Sequence, residues 1–193
     1  MAAWILSLML FLQPAAPWLD TYPSTARAID RAAHAFPVYE GEDGVSRTAA
    51  ELVAIAWYES RFNPRAVAED GSGTVCLGQI DVRGLGVAAE ALLESVDNCV
   101  EAMLARVRES HRVCALRGRG PLERLGQYTG GGGECDRGLR AARARAKTAE
   151  WLVRRYPVRW VECGCGAPAR GVVGSRTWPS RFPYPSNFAV EAP

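Results

Sequence analysis

The sequence is poor in histidine, with two in 193 residues, His34 and His111, far apart in the chain. That leaves little for a Ser-His-Asp or Cys-His nucleophile. It leaves little for zinc as well, whose structural sites need cysteine pairs such as C-x-x-C with matching partners. The only close cysteine pair is Cys163-Gly164-Cys165. No metal and no cofactor is expected. Excess charge is lacking too: the formal net charge is +2 and the pI about 8.3, which excludes a strongly basic nucleic-acid binder as a first reading. Gly130 to Gly133 are not followed by G-K-[ST], so they are not a phosphate loop. There is no internal repeat, and strand-like alternation is scarce. Beyond the first residues no stretch is apolar enough to be a membrane-span candidate.

What is present is the balance of a globular protein, 48% hydrophobic and 23% charged residues. The length suits one ordinary domain with a tail. Six cysteines, Cys76, Cys99, Cys114, Cys135, Cys163 and Cys165, allow 15 pairings, and the sequence does not choose among them. Disulfides in an oxidising compartment are the preferred reading, with buried thiols in the cytosol as the alternative. Residues 3 to 12 form an apolar run of signal-peptide length, followed by small residues at 14–16 but not preceded by Lys or Arg. Residues 1–19 are therefore read as a signal peptide or, failing that, as an apolar N-terminal helix. With the cysteines, this points to an exported protein of the periplasm or cell envelope.

Apolar spacing predicts a mainly α fold. A helix is expected over 24–36, capped by Ser24, with Ile29, Ala32, Ala33 and Phe36 on one face. Thr48-Ala49-Ala50-Glu51 has the form of a capping box and opens a helix that runs to about Ser60, before Asn63-Pro64. Residues 63–86 read as an ordered loop with a short hairpin. A short helix follows at 88–95. Another starts at Asp97 or Asn98 with Val100, Met103, Leu104 and Val107 as its buried stripe. A brief helix runs from Pro121 through Tyr128. An arginine-rich helix covers 138–156, its charge read as a solvated outer face, and Pro157 closes it. The body is thus 20–157, and 158–193 is a Pro/Gly-rich tail that Cys163 and Cys165 are expected to staple.

Glu59 stands out. Ala56, Ile55 and Leu52 lie three, four and seven residues before it, so a carboxyl group ends the apolar stripe of its helix. Trp57, Tyr58 and Phe62 would exclude water, and the negative end of the helix dipole is close. Both effects raise a carboxyl pKa, and a carboxylic acid kept protonated near neutrality is what general-acid catalysis needs. Arg61 or Arg65, turned inward, would oppose them. The plain alternative is a solvated helix-end glutamate.

The stretch 59–80, ESRFNPRAVAEDGSGTVCLGQI, resembles the signature of the lytic transglycosylase family with the soluble-lytic-transglycosylase domain. That signature reads E-S-x-F-N-P-x-A, a Gly-containing turn, then G-L-x-Q-I. Glu59, Ser60, Phe62, Asn63, Pro64, Ala66, Leu77, Gln79 and Ile80 match it, with Cys76 where the family has Gly. Residues 97–107, DNCVEAMLARV, resemble the family's D-x-x-x-N-I-x-x-G-x-x-Y-L helix, and 125–133, LGQYTGGGG, its A-Y-N-A-G turn.

The resemblance covers roughly 22–157. It implies a lysozyme-like helical domain, monomeric, with a loop or hairpin beside a cleft and an irregular C-terminal tail. Its partner would be the glycan strand of peptidoglycan rather than nucleic acid. Glu59 would be the catalytic acid and then the base, Ser60 the sugar-binding hydroxyl beside it, and Gln79 a cleft-lining amide. Tyr128 would be the hydroxyl that approaches the carboxyl, and Thr129 takes the place of the family's Asn. The product would carry a 1,6-anhydromuramoyl end.

Asp81 gives "GQID" a likeness to the "QVD" of goose-type lysozymes, where an aspartate positions a hydrolytic water. On that alternative, Asp81 or Asp70 faces Glu59 and the bond is hydrolysed. Asp81 as a cap or turn residue is the plainer reading. A third reading is a non-catalytic peptidoglycan-binding module. A phage particle or lysis system is an alternative setting to the envelope.

Overall fold

The apolar run at the start of the chain forms α1 (Ala2–Leu12), which is hydrophobic on every side but buries one face and leaves Leu10 and Phe11 exposed. The computed structural model describes residues 1–83, 86–130 and 134–158. Ile5, Leu8 and Met9 are buried in the main core. The Ala2 amide donates to Asp30 Oδ2 at 3.1 Å, and Trp4 Nε1 donates to the Tyr156 carbonyl at 2.6 Å. The segment therefore packs as a helix of the body. The tail from residue 159 onward, with Cys163 and Cys165, lies outside the described residues, as do Gly131 to Gly133.

The second helix, α2 (Tyr22–Ala35), starts two residues before the expected Ser24. Ser24 is not a cap: it lies inside the helix, and its Oγ donates back to the Thr21 carbonyl at 2.7 Å. Pro23, in the first turn, has no amide to leave unsatisfied. The third helix, α3 (Gly44–Ser60), also starts earlier than the spacing predicts. A Cβ on residue 44 would lie 2.2 Å from the Tyr39 carbonyl oxygen, so the glycine lets the chain enter the helix there. Thr48 consequently sits one turn inside, donating to the Gly44 carbonyl at 2.7 Å and accepting from the Val38 amide at 2.8 Å. The capping box does not form, because Glu51 is a core residue. Its Oε1 accepts from Tyr39 Oη at 3.0 Å and lies 3.1 Å from His111 Nε2. Burial and the neighbouring Glu51 push the Tyr39 hydroxyl far above its ordinary pKa.

Every residue of α3 from Ala49 to Ala56 is buried. Its alanines let α1, α2 and α7 (Leu139–Arg155) approach closely, so α3 is the axis of the body. Between them run α4 (Ala89–Glu94), α5 (Val96–Leu116), a 3-10 turn at Pro121–Glu123 and α6 (Gly126–Gly130). The cap of α5 is Ser95, whose Oγ accepts from the Asn98 amide at 3.2 Å, rather than Asp97 or Asn98. The stripe Val100, Met103, Leu104 and Val107 is buried as expected. The segment 121–128 is two pieces rather than one helix.

The hairpin pairs β1 (Thr74–Val75) antiparallel with β2 (Ile80–Asp81), Thr74 opposite Asp81. The fold is mainly helical, with that hairpin between α3 and α4. Disulfides join Cys76 to Cys99 and Cys114 to Cys135. Among the described residues no helix is long and apolar enough to cross a membrane.

Cys76 has a φ of 63°, a left-handed conformation that glycine adopts without steric cost. Closing a chain separation of 23 residues, its disulfide should contribute about 3 kcal/mol of stability. Replacing the pair by Cys76→Ala and Cys99→Ala should lower the unfolding free energy by that amount in a denaturant titration. Cys76→Gly with Cys99→Ala should lose about 1 kcal/mol less, because glycine relieves the left-handed strain.

Candidate active site

Two strained turns build the site. The chain leaves α3 through Arg61 (φ 55°) and Phe62 (φ 63°), consecutive left-handed residues without glycine's freedom. Such strain persists only where the surroundings enforce it. Here Phe62 is fully buried, its ring edge-on to Tyr22 at 5.5 Å. The second turn, 76–79, has left-handed Cys76 and Gln79 (φ 49°) and is fastened on two sides. The Leu77 carbonyl lies 2.9 Å from Ser60 Oγ, and the Leu77 amide donates to Cys99 Sγ at 3.2 Å. The end of α3, the hairpin and α5 are thereby held together.

They enclose a cleft of about 790 Å³, lined among others by Glu59, Gln79, Asp81, Arg106, Tyr128 and Arg145. A smaller hollow of about 310 Å³, beside Tyr39, Arg47 and Glu150, shares no residue with it.

Glu59 lies in this cleft with 19% of its side chain exposed. Burial pushes its carboxyl pKa up, and the guanidinium of Arg145 pulls it part of the way back. Arg145 donates through Nε at 3.0 Å and Nη2 at 2.7 Å, both to Oε1. The inward arginine is therefore Arg145, and not Arg61 or Arg65. Arg61 lies over the Trp57 ring at 4.5 Å, and the Arg65 amide donates to Asn63 Oδ1 at 3.0 Å.

The other expected residues fall into three groups. Gln79, Tyr128 and Thr129 line the cleft with Glu59. The Tyr128 hydroxyl is buried, which raises its pKa well above the usual value, and it donates to the Gly78 carbonyl at 2.6 Å rather than to Glu59. Gln79 Oε1 accepts from Thr74 Oγ1 at 2.9 Å. Thr129 Oγ1 lies 3.0 Å from the Leu125 carbonyl and 2.9 Å from that of Gly138, so it fastens α6 to the start of α7.

Asp70 and Asp81 also line the cleft, and both have pKa values below the ordinary carboxylate range. Asp70 is exposed and accepts from the Ser72 amide at 2.9 Å, an Asx turn. Asp81 is gripped by Arg83, with Nε 2.9 Å from Oδ1 and Nη2 2.9 Å from Oδ2. Ser60 stands apart from the cleft lining. Its Oγ sits between the Ala56 and Leu77 carbonyls, at 3.1 and 2.9 Å, and ties the turn to the helix.

Sequence reasoning misses Arg145, because a helix so rich in arginine reads as a solvated outer face. The signal is nonetheless there. Arg145 lies three residues after Ala142 and four before Ala149, both buried, so it is on the inner stripe of α7 just as Glu59 is on that of α3. Of the three candidate carboxyls, Glu59 alone has its pKa pushed up, the direction that general-acid catalysis needs.

Gly78 sets the position of Tyr128. A Cβ there would lie 2.7 Å from Tyr128 Oη and 2.8 Å from Met103 Sδ. Gly78→Ala should therefore cost about 1–3 kcal/mol of stability in thermal or denaturant unfolding and displace the tyrosine ring. Gly71→Ala should leave Tyr128 in place, because a Cβ at residue 71 meets nothing within 4 Å. No family model, curated protein or solved structure matches this chain.

Proposed function

We propose that the protein is an exported lytic transglycosylase with a lysozyme-like body, cleaving the MurNAc–GlcNAc bond of peptidoglycan. One observation carries this reading: a single carboxyl of raised pKa, Glu59, stands in the cleft with Gln79 and Tyr128. The likeness of residues 59–80 to the family signature supports the same assignment. The two disulfides suit an oxidising, extracytoplasmic compartment.

The chemistry follows from one carboxyl. Protonated Glu59 gives its proton to the glycosidic oxygen as the bond to C1 of muramic acid breaks, and the departing sugar leaves with a 4-hydroxyl. Positive charge spreads over C1 and the ring oxygen, as in glycoside cleavage generally. The muramic acid 6-hydroxyl then attacks C1 and passes its proton to the Glu59 carboxylate. The products are a 1,6-anhydromuramoyl end and a regenerated acid, with no water consumed. An ordinary glycosidase needs a second carboxyl, and here the substrate's own hydroxyl replaces it.

Hydrolysis with Asp81 as base has less support. Both oxygens of Asp81 are occupied by Arg83, and exposed Asp70 is spent on its own turn. A non-catalytic wall-binding module would have no use for a cleft carboxyl whose pKa is raised by burial.

Purified peptidoglycan digested by the wild type, Glu59→Gln and Asp81→Asn tests the reading by muropeptide mass. Wild type should release anhydromuropeptides, Glu59→Gln should lose about 10³-fold in rate, and Asp81→Asn should keep most of it. Loss on Asp81→Asn with survival of Glu59→Gln would reject it.

A further inference from the structure

Both Arg145 contacts converge on Oε1 of Glu59, and among the described residues Oε2 has no hydrogen bond. The arginine itself is held on two further sides. Its Nη1 donates to the Ala141 carbonyl at 3.0 Å, and its guanidinium lies 5.1 Å from the centre of the Tyr58 ring. Its side chain is only 11% exposed. Such a cation has few rotamers open to it, so it presents a fixed edge to one carboxyl oxygen. We infer that Arg145 is the positioning residue of this site: it holds Glu59 by Oε1 and leaves Oε2 as the oxygen that gives and takes the proton. This rests on the transglycosylase reading of Glu59.

The geometry has a chemical consequence. A proton on Oε1 would meet two N–H donors, so the acid form carries its proton on Oε2. As that proton leaves, negative charge grows on a carboxyl already facing a guanidinium, which stabilises the charged form in a partly dry site. Arg145 thus opposes burial: burial raises the carboxyl pKa and the guanidinium draws it part of the way back. The other charged and titratable groups of the cleft are Tyr128 from α6, Asp70 from the loop before β1, Asp81 and Arg83 at the hairpin, and Arg106 and Glu109 from α5. Arg83 is engaged by Asp81, and Glu109 by Arg112.

Two readouts test this together. The Glu59 carboxyl carbon is titrated by ¹³C NMR in the wild type, Arg145→Met and Arg145→Lys. The pH profile of anhydromuropeptide release is measured on the same proteins. In Arg145→Met the carboxyl should titrate about one pH unit higher, a tenfold change in its ionisation. The alkaline limb of kcat/KM should move up with it, and kcat should fall about 10- to 100-fold as the carboxyl loses its fixed orientation. Arg145→Lys, which restores the charge without the fork, should recover part of both.

A residue that merely supports the fold would lower activity equally at every pH and leave the limb in place. An unmoved titration or an unmoved limb in folded Arg145→Met overturns the inference. A wild type that titrates as expected but releases no anhydro product overturns the transglycosylase reading and leaves the pairing standing.

Discussion

The pairing of Glu59 with Arg145 ties α3 to α7 and places opposite charges side by side in the cleft. A carboxylate at the end of an apolar helix face, and a guanidinium on the inner face of another, would each be costly to bury alone. Brought within 2.7 Å of one another, they make each other tolerable, and the pair spans the α3–α7 contact about which the domain is built. The alanines of both helices follow from the same need. Ala56, on the face of Glu59, and Ala142 and Ala149, on the face of Arg145, are all buried, and their small side chains suit a close approach of the two helices.

Around that pair the backbone is bent into conformations it would not otherwise choose. Arg61, Phe62, Cys76 and Gln79 all have positive φ, and all belong to the two turns that border the cleft. These turns are over-determined by their surroundings. Phe62 is locked by burial against Tyr22, Cys76 by its disulfide, and the 76–79 turn by Ser60 and Cys99. Strain gathered in this way marks a place where position matters more than stability. It also gives Ser60 and Gly78 structural work: the serine fastens the turn, and the glycine leaves room for the Tyr128 hydroxyl to reach a backbone carbonyl.

Much of this is legible from spacing alone. The helices that become α3 and α5 follow from apolar periodicity, as does the inner position of Glu59, and the arginine-rich α7 ends where Pro157 predicts. Caps are less legible. Thr48 and Glu51 have the residue types of a capping box, but a close approach at Gly44 starts the helix earlier and burial claims both side chains. The role of Ser60 cannot be read in advance, because it depends on a carbonyl 17 residues away. Arg145 is hidden among the other arginines of its helix, and only its phase relative to Ala142 and Ala149 distinguishes it. Disulfide partners depend on the fold and cannot be derived from six positions in a sequence.

In a transglycosylase the substrate supplies its own nucleophile, and water never enters the bond that forms. Digestion of peptidoglycan in ¹⁸O-labelled water tests that claim most directly. A single-carboxyl mechanism at Glu59 predicts muramoyl ends that carry no label and are lighter by one water than reducing ends. Reducing ends that carry one ¹⁸O would contradict it, and would mean that a hydrolytic water is activated in this cleft.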